Sequence, residues 1–281
     1  KIKYANIFNQ YNKVLKLDNP ISNELEIMRP SILPNLIASI NKNQSRLFDS
    51  AGIFEVGPQY ENSTPDGQHM MASAIKYGSI NSNIWTNNAR PVDVFDIKAD
   101  IYSILHSLNI PIEKLQLDYK TPDWYHPGKS SALRLGNKTL VFFGEISPSI
   151  LNVFQIKSNV CAFELFLDRL QDFRTNIFLP KKPFDNNPYQ VVERDFAFIL
   201  NSNVESSKIT EAIKKSEKEF IKEIKVFDVF EGNNIEKGKK SIAIKVVLQP
   251  INSTFTDEDI ESICKKIIKN VNDATGGYIR K

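Results

Sequence analysis

The residues able to do chemistry are few. The chain has three histidines and two cysteines, and none falls in a pattern that builds a reactive centre. His126, in YHPG, is a candidate acid–base or metal residue, but His69 and His106 lie elsewhere and no acid-rich ligand spacing surrounds it. Its expected role is that of a turn histidine bonded to a neighbouring backbone group. Cys161 and Cys264 are far apart with no second thiol near either, the pattern of buried, reduced thiols rather than of a disulfide or a zinc site. Asp93 and Asp96 could pair as carboxylates, yet capping of a following helix by Asp96 accounts for the pattern. Arg29 could hold a phosphate, but Pro30 directly after it reads as a helix start with Ser31 in the first turn. Glu55, in IFEVG, is expected to pair locally. No phosphate-cradling GxxxxGK[ST] loop occurs. No catalytic residue and no metal ligand are therefore expected.

A different kind of chemistry, base stacking and base-edge hydrogen bonding, needs an exposed aromatic beside small polar groups. Candidates for it lie in the last third of the chain, where the elements are easily read. Residues 191–200 (VVERDFAFIL) predict a strand and 206–218 a helix. Strands follow at 221–231 (IKEIKVFDVFE) and 240–248 (KSIAIKVVL), joined by a turn rich in Gly, Asn and Lys. Residues 256–271 predict a helix with a Thr cap and acids at Asp257, Glu258 and Asp259. Gly276 and Gly277 close it before a short strand at 278–280. This βαββαβ order is the ferredoxin-like arrangement, four antiparallel strands with both helices on one face. The other face stays open, as in RNA-recognition domains.

Strand alternation then assigns the faces. Ile242, Ile244, Val246 and Leu248 are expected under the helices, leaving Ser241, Ala243 and Lys245 on the open face. Phe196, Phe198 and Leu200 are expected in the core, with Ala197 outward. On the second strand the choice lies between Phe227/Val229 and Val226/Asp228/Phe230. Burying an unpartnered Asp228 would cost several kcal/mol at worst, on the order of the desolvation of a polar group, so the set with Asp228 and Phe230 goes to the open face. By pattern alone this remains either a binding platform, a solvated sheet face or a face covered by another domain.

Bulk properties set limits on partners. The chain has 281 residues and a net charge of +3, and residues 188–281 carry 16 basic against 15 acidic side chains. Attraction of a phosphate backbone by net charge is therefore weak, and any RNA contact must be local and geometric. No apolar run approaches the roughly 20 residues that span a bilayer, and the N-terminus carries no secretory signal. It also lacks an initiator Met and starts in mid-pattern, which suggests a fragment of a longer protein. A proline-rich stretch at 178–190 reads as a stiff linker, placing a domain boundary near residue 185. Upstream, helices are expected at 31–42 and at 96–108, the latter with Ile97, Ile101, Ile104 and Leu108 on one side. Strands are expected at 52–60, 69–77, 132–135 and 139–145, the last two joined by a Gly136-Asn137 turn. The fold class is α+β, with an antiparallel sheet flanked by helices.

The segments VVERDFAFIL, KVFDVFEGNNIEKGKKSIAIKVVLQP and TFTDEDIESICKKII resemble, in order and spacing, the ferredoxin-fold anticodon-binding domain of phenylalanine–tRNA synthetases. Upstream, NPISNELEIMRPSILPNLI, LFDSAGIFEVGPQY, VDVFDIKADIYSIL and WYHPGKSSAL…FFGEISPSIL resemble the non-catalytic part of the bacterial β subunit. The resemblance covers nearly all of residues 18–281. It departs at Ala99, usually Gly, at Lys129, usually Arg, and at Phe230, often Tyr, where a hydroxyl contact would be missing while stacking survives.

The resemblance implies two domains. Residues 1–185 would form a non-catalytic class II synthetase-like domain that packs on the α subunit. Residues 186–281 would form the anticodon-binding domain. Asp228, Phe230 and Ser241 would contact the first anticodon base. Val192 and Ala197 would line the anticodon's path. Arg194, in the RD pair of the same strand, is expected to meet a phosphate, a role that the resemblance itself does not assign. The family enzyme is an α2β2 heterotetramer, in the cytoplasm, that joins phenylalanine to tRNA(Phe) with ATP and Mg²⁺ in its α subunit. No cofactor is expected in this chain. Adenylate formation needs an Arg on a strand for the α-phosphate and another in a Gly-rich motif for the γ-phosphate. GIFEVG has no such Arg, and no Gly-rich segment ending in Arg occurs in residues 1–185. The OB-like and editing domains of the full β subunit have no counterpart here. The alternative is a stand-alone regulatory or ligand-binding paralogue.

Overall fold

The computed structural model describes residues 4, 6–8, 15–23, 25–81, 85–86, 88–173, 187–232 and 235–280. The chain divides into two compact units, Lys1–Pro180 and Lys181–Lys281. The expected boundary near residue 185, and most of the 178–190 linker, lie outside the described residues.

The first unit is built on a six-stranded antiparallel sheet with the order β1-β2-β6-β5-β4-β3. Its strands are β1 (Ala51–Tyr60), β2 (Gln68–Tyr77), β3 (Gln116–Asp118), β4 (Tyr125–Leu135), β5 (Lys138–Ile146) and β6 (Val160–Phe166). Helices α1 (Leu33–Gln44) and α2 (Val94–Ser107) cover opposite faces, and the short helices α3 (Pro148–Val153) and α4 (Leu167–Leu170) flank β6. Every residue of β6 is buried. Val160, Ala162 and Phe166 join the core under α1, while Cys161, Phe163 and Leu165 join the core under α2. A strand covered on both sides has apolar residues at successive positions, so VCAFELF shows no polar alternation. Burial pushes the Cys161 thiol up to about 12; Cys161 and Cys264 are both free.

Helix α2 begins two residues before the position the sequence suggested, and its cap three before. Asp93 is its N-cap and accepts from the amides of Phe95 (2.8 Å) and Asp96 (3.1 Å), while Asp96 accepts from the Asp93 amide (2.9 Å). Asp96 is the third helical residue of a capping box rather than the cap itself. The Arg90 guanidinium donates to both Asp96 oxygens at 2.8 and 2.6 Å and, chiefly through that bond, holds the carboxyl down at about 2. Ile97, Ile101 and Leu105 form the buried face of α2, with Ile104 and Leu108 at its margins. Ser31 lies before α1 instead of inside it, since the helix starts at Leu33 after an Ile32 N-cap.

The second unit has the expected βαββαβ order: β7 (Val192–Asn201), α5 (Ser206–Ser216), β8 (Ile221–Phe230), β9 (Lys239–Leu248), α6 (Asp257–Thr275) and β10 (Tyr278–Ile279). Its four strands pair in the order β10-β7-β9-β8, all antiparallel. Phe196, Phe198, Leu200, Ile242, Ile244, Val246 and Leu248 pack beneath Ile209, Ile213, Ile263, Ile267 and Val271 of the helices. Complete burial of a side chain such as Phe198 contributes about 2–3 kcal/mol. Thr256 and Asp259 close a second capping box. Gly276, at φ 67°, ends α6 in the left-handed conformation that glycine adopts without strain.

Candidate nucleic-acid interface

Within the second unit, the sheet face away from α5 and α6 carries no helix among the described residues. Its composition follows from the register, because directly opposed residues of antiparallel strands share a face. Ser241 stands opposite Ile199 on β7 and Phe230 on β8; Ala243 stands opposite Ala197 and Asp228; Lys245 stands opposite Asp195 and Lys225. Phe230, Asp228, Ser241 and Ala197 therefore come together on the open face, as expected from alternation. Phe230 is 40% exposed and Ser241, at the centre of the row, 5%. The Phe230 ring lies against Gly232, where an added Cβ would come within 2.8 Å of its tip, so the bare glycine backbone seats the ring.

Two of the expected residues sit elsewhere. Val192 is opposite Leu248 and packs on the helix-side core, and Arg194 is opposite Val246 on the same side. Both share parity with Phe196, which the helices bury. Burial raises the pKa of the Cys264 thiol on α6, and the Arg194 charge offsets part of that rise. Neither is on the face with Phe230. Val226 also departs from expectation. The register of β8 shifts between Val226 and Asp228, leaving Phe227 as the extra residue of a bulge, so Val226 opposes Ile244 on the helix side. A second shift falls between Ile221 and Glu223. As the edge strand, β8 is covered on neither side near its end: Phe227 is 56% and Val229 54% exposed.

Tyr278 was not singled out by sequence pattern. It opposes Ile199 and so belongs to the row of Ser241 and Phe230. The signal was present in the final YIR strand, but two residues are too few for alternation to fix a face.

In the first unit, the sheet face under α1 holds one buried acid. Glu164, 3% exposed, accepts hydrogen bonds from the Ser31 hydroxyl (2.7 Å), the Trp124 indole N–H (3.0 Å), the Tyr125 hydroxyl (3.3 Å) and the Gln59 amide (3.5 Å). Burial raises its pKa, and these donors offset part of the rise. The adjoining cavity, lined by Phe8, Gln59, Glu61, His69, Trp124 and Phe166 among others, leaves about 30 Å³, room for a water but not for a nucleotide. A cavity of that size does not admit ATP. Nearby, Arg29 is committed to the Glu55 carboxylate and the Pro58 carbonyl (2.8 Å); the partner of Glu55 is thus remote in sequence, not local. His126 lies within β4 rather than in a turn, and its Nδ1 accepts from the Gly128 amide at 3.1 Å. No cluster of three or more His, Cys, Asp or Glu side chains suited to a metal occurs among the described residues. No described helix is long and apolar enough to cross a membrane.

Comparison with known proteins follows the same division. Residues 3–167 match the family described as phenylalanyl tRNA synthetase beta chain CLM domain, and residues 187–280 match the ferredoxin-fold anticodon binding domain. The chain is 40% identical over 272 residues to the phenylalanine–tRNA ligase beta subunit of Bartonella quintana (strain Toulouse), covering 95% of this chain and 34% of that protein. It is 41% identical to the same subunit of Bartonella henselae (99% and 35%) and 41% identical to that of Paramagnetospirillum magneticum (95% and 33%). The chain thus spans about a third of the length of the curated relatives it matches. Among solved structures, pyrrolysyl-tRNA synthetase from Desulfitobacterium hafniense aligns with a TM-score of 0.42 at 18% identity, over 58% of this chain and 53% of that one.

Proposed function

The chain belongs to the phenylalanine–tRNA ligase β-subunit family, and from that premise we propose that its second unit binds the anticodon region of tRNA(Phe). The first unit, in this reading, packs on the catalytic α subunit of a cytoplasmic α2β2 ligase. The observation that carries the reading is the open sheet face of the matched anticodon-binding domain, on which an exposed aromatic, Phe230, stands beside Asp228, Ser241 and Ala197. The Phe230 ring stacks the first anticodon base. The Asp228 carboxylate accepts from that base's N–H edge, and the Ser241 hydroxyl donates or accepts beside it. Ala197 and Ala243 keep the floor low enough for the base to lie flat.

ATP and Mg²⁺ belong to the partner in this reading. The sheet face of the first unit presents a buried Glu164 and a water-sized cavity instead of a cationic cleft. The chain then contributes to aminoacylation by holding and orienting tRNA, with no bond made or broken by its own side chains.

Titration of tRNA(Phe) tests the proposal. Phe230→Ala is expected to weaken binding by about 1–3 kcal/mol while circular dichroism stays unchanged, because the ring lies outside the core. Unaltered affinity would remove the sheet face from the interface.

A further inference from the structure

The register runs one row straight across the second sheet: Tyr278 on β10, Ile199 on β7, Ser241 on β9 and Phe230 on β8. The two aromatics occupy opposite edges of the same open face, and both are accessible, Tyr278 at 42% and Phe230 at 40%. Three strand spacings separate their Cα atoms by about 14 Å. One phosphodiester step does not cover that distance, so bases resting on the two rings would belong to nucleotides with at least one other between them.

The edges differ in charge. Asp228 and Glu231 flank the Phe230 end. At the Tyr278 end, the Lys239 ammonium lies 3.5 Å from the phenol oxygen and 5.1 Å from the ring centroid. Lys239 also pairs with Glu236 at 2.7 Å, which leaves its charge partly compensated. Arg280 comes two residues after Tyr278 and continues the pairing, its amide donating to the Ala197 carbonyl at 2.8 Å. It therefore points to the same side as Tyr278. Its guanidinium has no hydrogen bond or ion pair among the described residues, and the residue is exposed. A ring with an unspent cation beside it is the pairing that single-stranded nucleic acid uses, a base on the aromatic and a phosphate on the arginine.

We propose that Tyr278 is a second base-stacking platform, with Arg280 as its phosphate contact, so that the RNA crosses all four strands from Phe230 to Tyr278. The inference rests on the anticodon-binding reading and extends it. With the first anticodon base on Phe230, Tyr278 receives the third anticodon base or the nucleotide after it. Specificity concentrates at the Phe230 edge, where Asp228 and Ser241 can read a base edge. The Tyr278 edge supplies affinity without base choice, since every base offers a π-face.

The test uses the full-length β subunit assembled with its α subunit, and tRNA(Phe) as the probe. Tyr278→Leu is expected to weaken binding roughly five- to a hundredfold, the range of a lost base stack, while Tyr278→Phe binds as the parent does. 2-Aminopurine, placed in turn at the third anticodon position and at the nucleotide after it, should lose its quenching at one of the two in Tyr278→Leu but keep it there in Phe230→Ala. Arg280→Gln should reduce the slope of log affinity against log salt by about one. If Phe230→Ala weakens binding and Tyr278→Leu does not, the second platform is overturned and the anticodon reading stands. If neither matters, both fall. Equal losses for Tyr278→Phe and Tyr278→Leu would assign the effect to the hydroxyl beside Lys239 and overturn stacking.

Discussion

Glu164 shows how much one residue can settle. It sits in an apolar strand, opposite Ser73 and Phe142, with four neutral donors converging on its carboxyl and no cation among them. Glu164→Leu would fill the space but leave the Trp124 N–H and the Ser31 hydroxyl without their acceptor, and the Tyr125 hydroxyl with only the Phe142 carbonyl at 3.5 Å. The expected cost is about 2–4 kcal/mol, from stranding buried donors, read as a lower denaturation midpoint; an unchanged midpoint would mean that water replaces the carboxylate. The sequence could not reveal this hub. Its donors come from residues 31, 59, 124 and 125, up to 133 positions away, and no local pattern connects them. Phe230, Asp228, Ser241 and Ala197 were legible because strand alternation is local and a buried, unpartnered Asp is costly. Val192 was placed by likeness and Arg194 by its position in the RD pair, and strand parity sets both on the other face. Alternation also failed at Val226, since a single bulged residue inverts the pattern beyond it.

At the scale of elements, helix α2 carries a pH-dependent device. Asp96 is held at about 2 by its bond to Arg90, below its ordinary value of 3.8. Its contribution is therefore complete above the unfolded value and is lost as the pH falls from about 4 towards 2. Asp96→Asn is expected to flatten that part of the acid-unfolding curve. At neutral pH it should cost on the order of 1 kcal/mol, the usual worth of a cap, because the Arg90 partner is half exposed and water screens the pair. An unchanged acid limb would show that the pair adds nothing. Asp-x-x-Asp reads alike from either end, so the sequence located this helix start but chose the wrong carboxylate as the cap. The βαββαβ order was legible throughout, since each element there carries its own cap or turn residues.

For the whole molecule, the family match and the relatives' threefold greater length set the next question. Co-expression with a bacterial phenylalanine–tRNA ligase α subunit, followed by light scattering, is expected to give a stable stoichiometric complex. Two folded proteins that fail to associate would mean either that assembly needs the part of the relatives' length not spanned here or that the chain is a paralogue acting alone. The tRNA face would still be open to test, because it lies wholly within the second unit.

An exposed edge strand with Val226, Phe227, Val229 and Phe230 interrupted only by Asp228 is a hazard as well as a platform. Regular, flat edges of that composition recruit further strands and seed aggregates. The two register shifts in β8 break the even spacing of free amides and carbonyls that such recruitment needs. The irregularity that hid Val226 from the sequence thus lets the chain display aromatic side chains to a ligand without offering its backbone to another copy of itself.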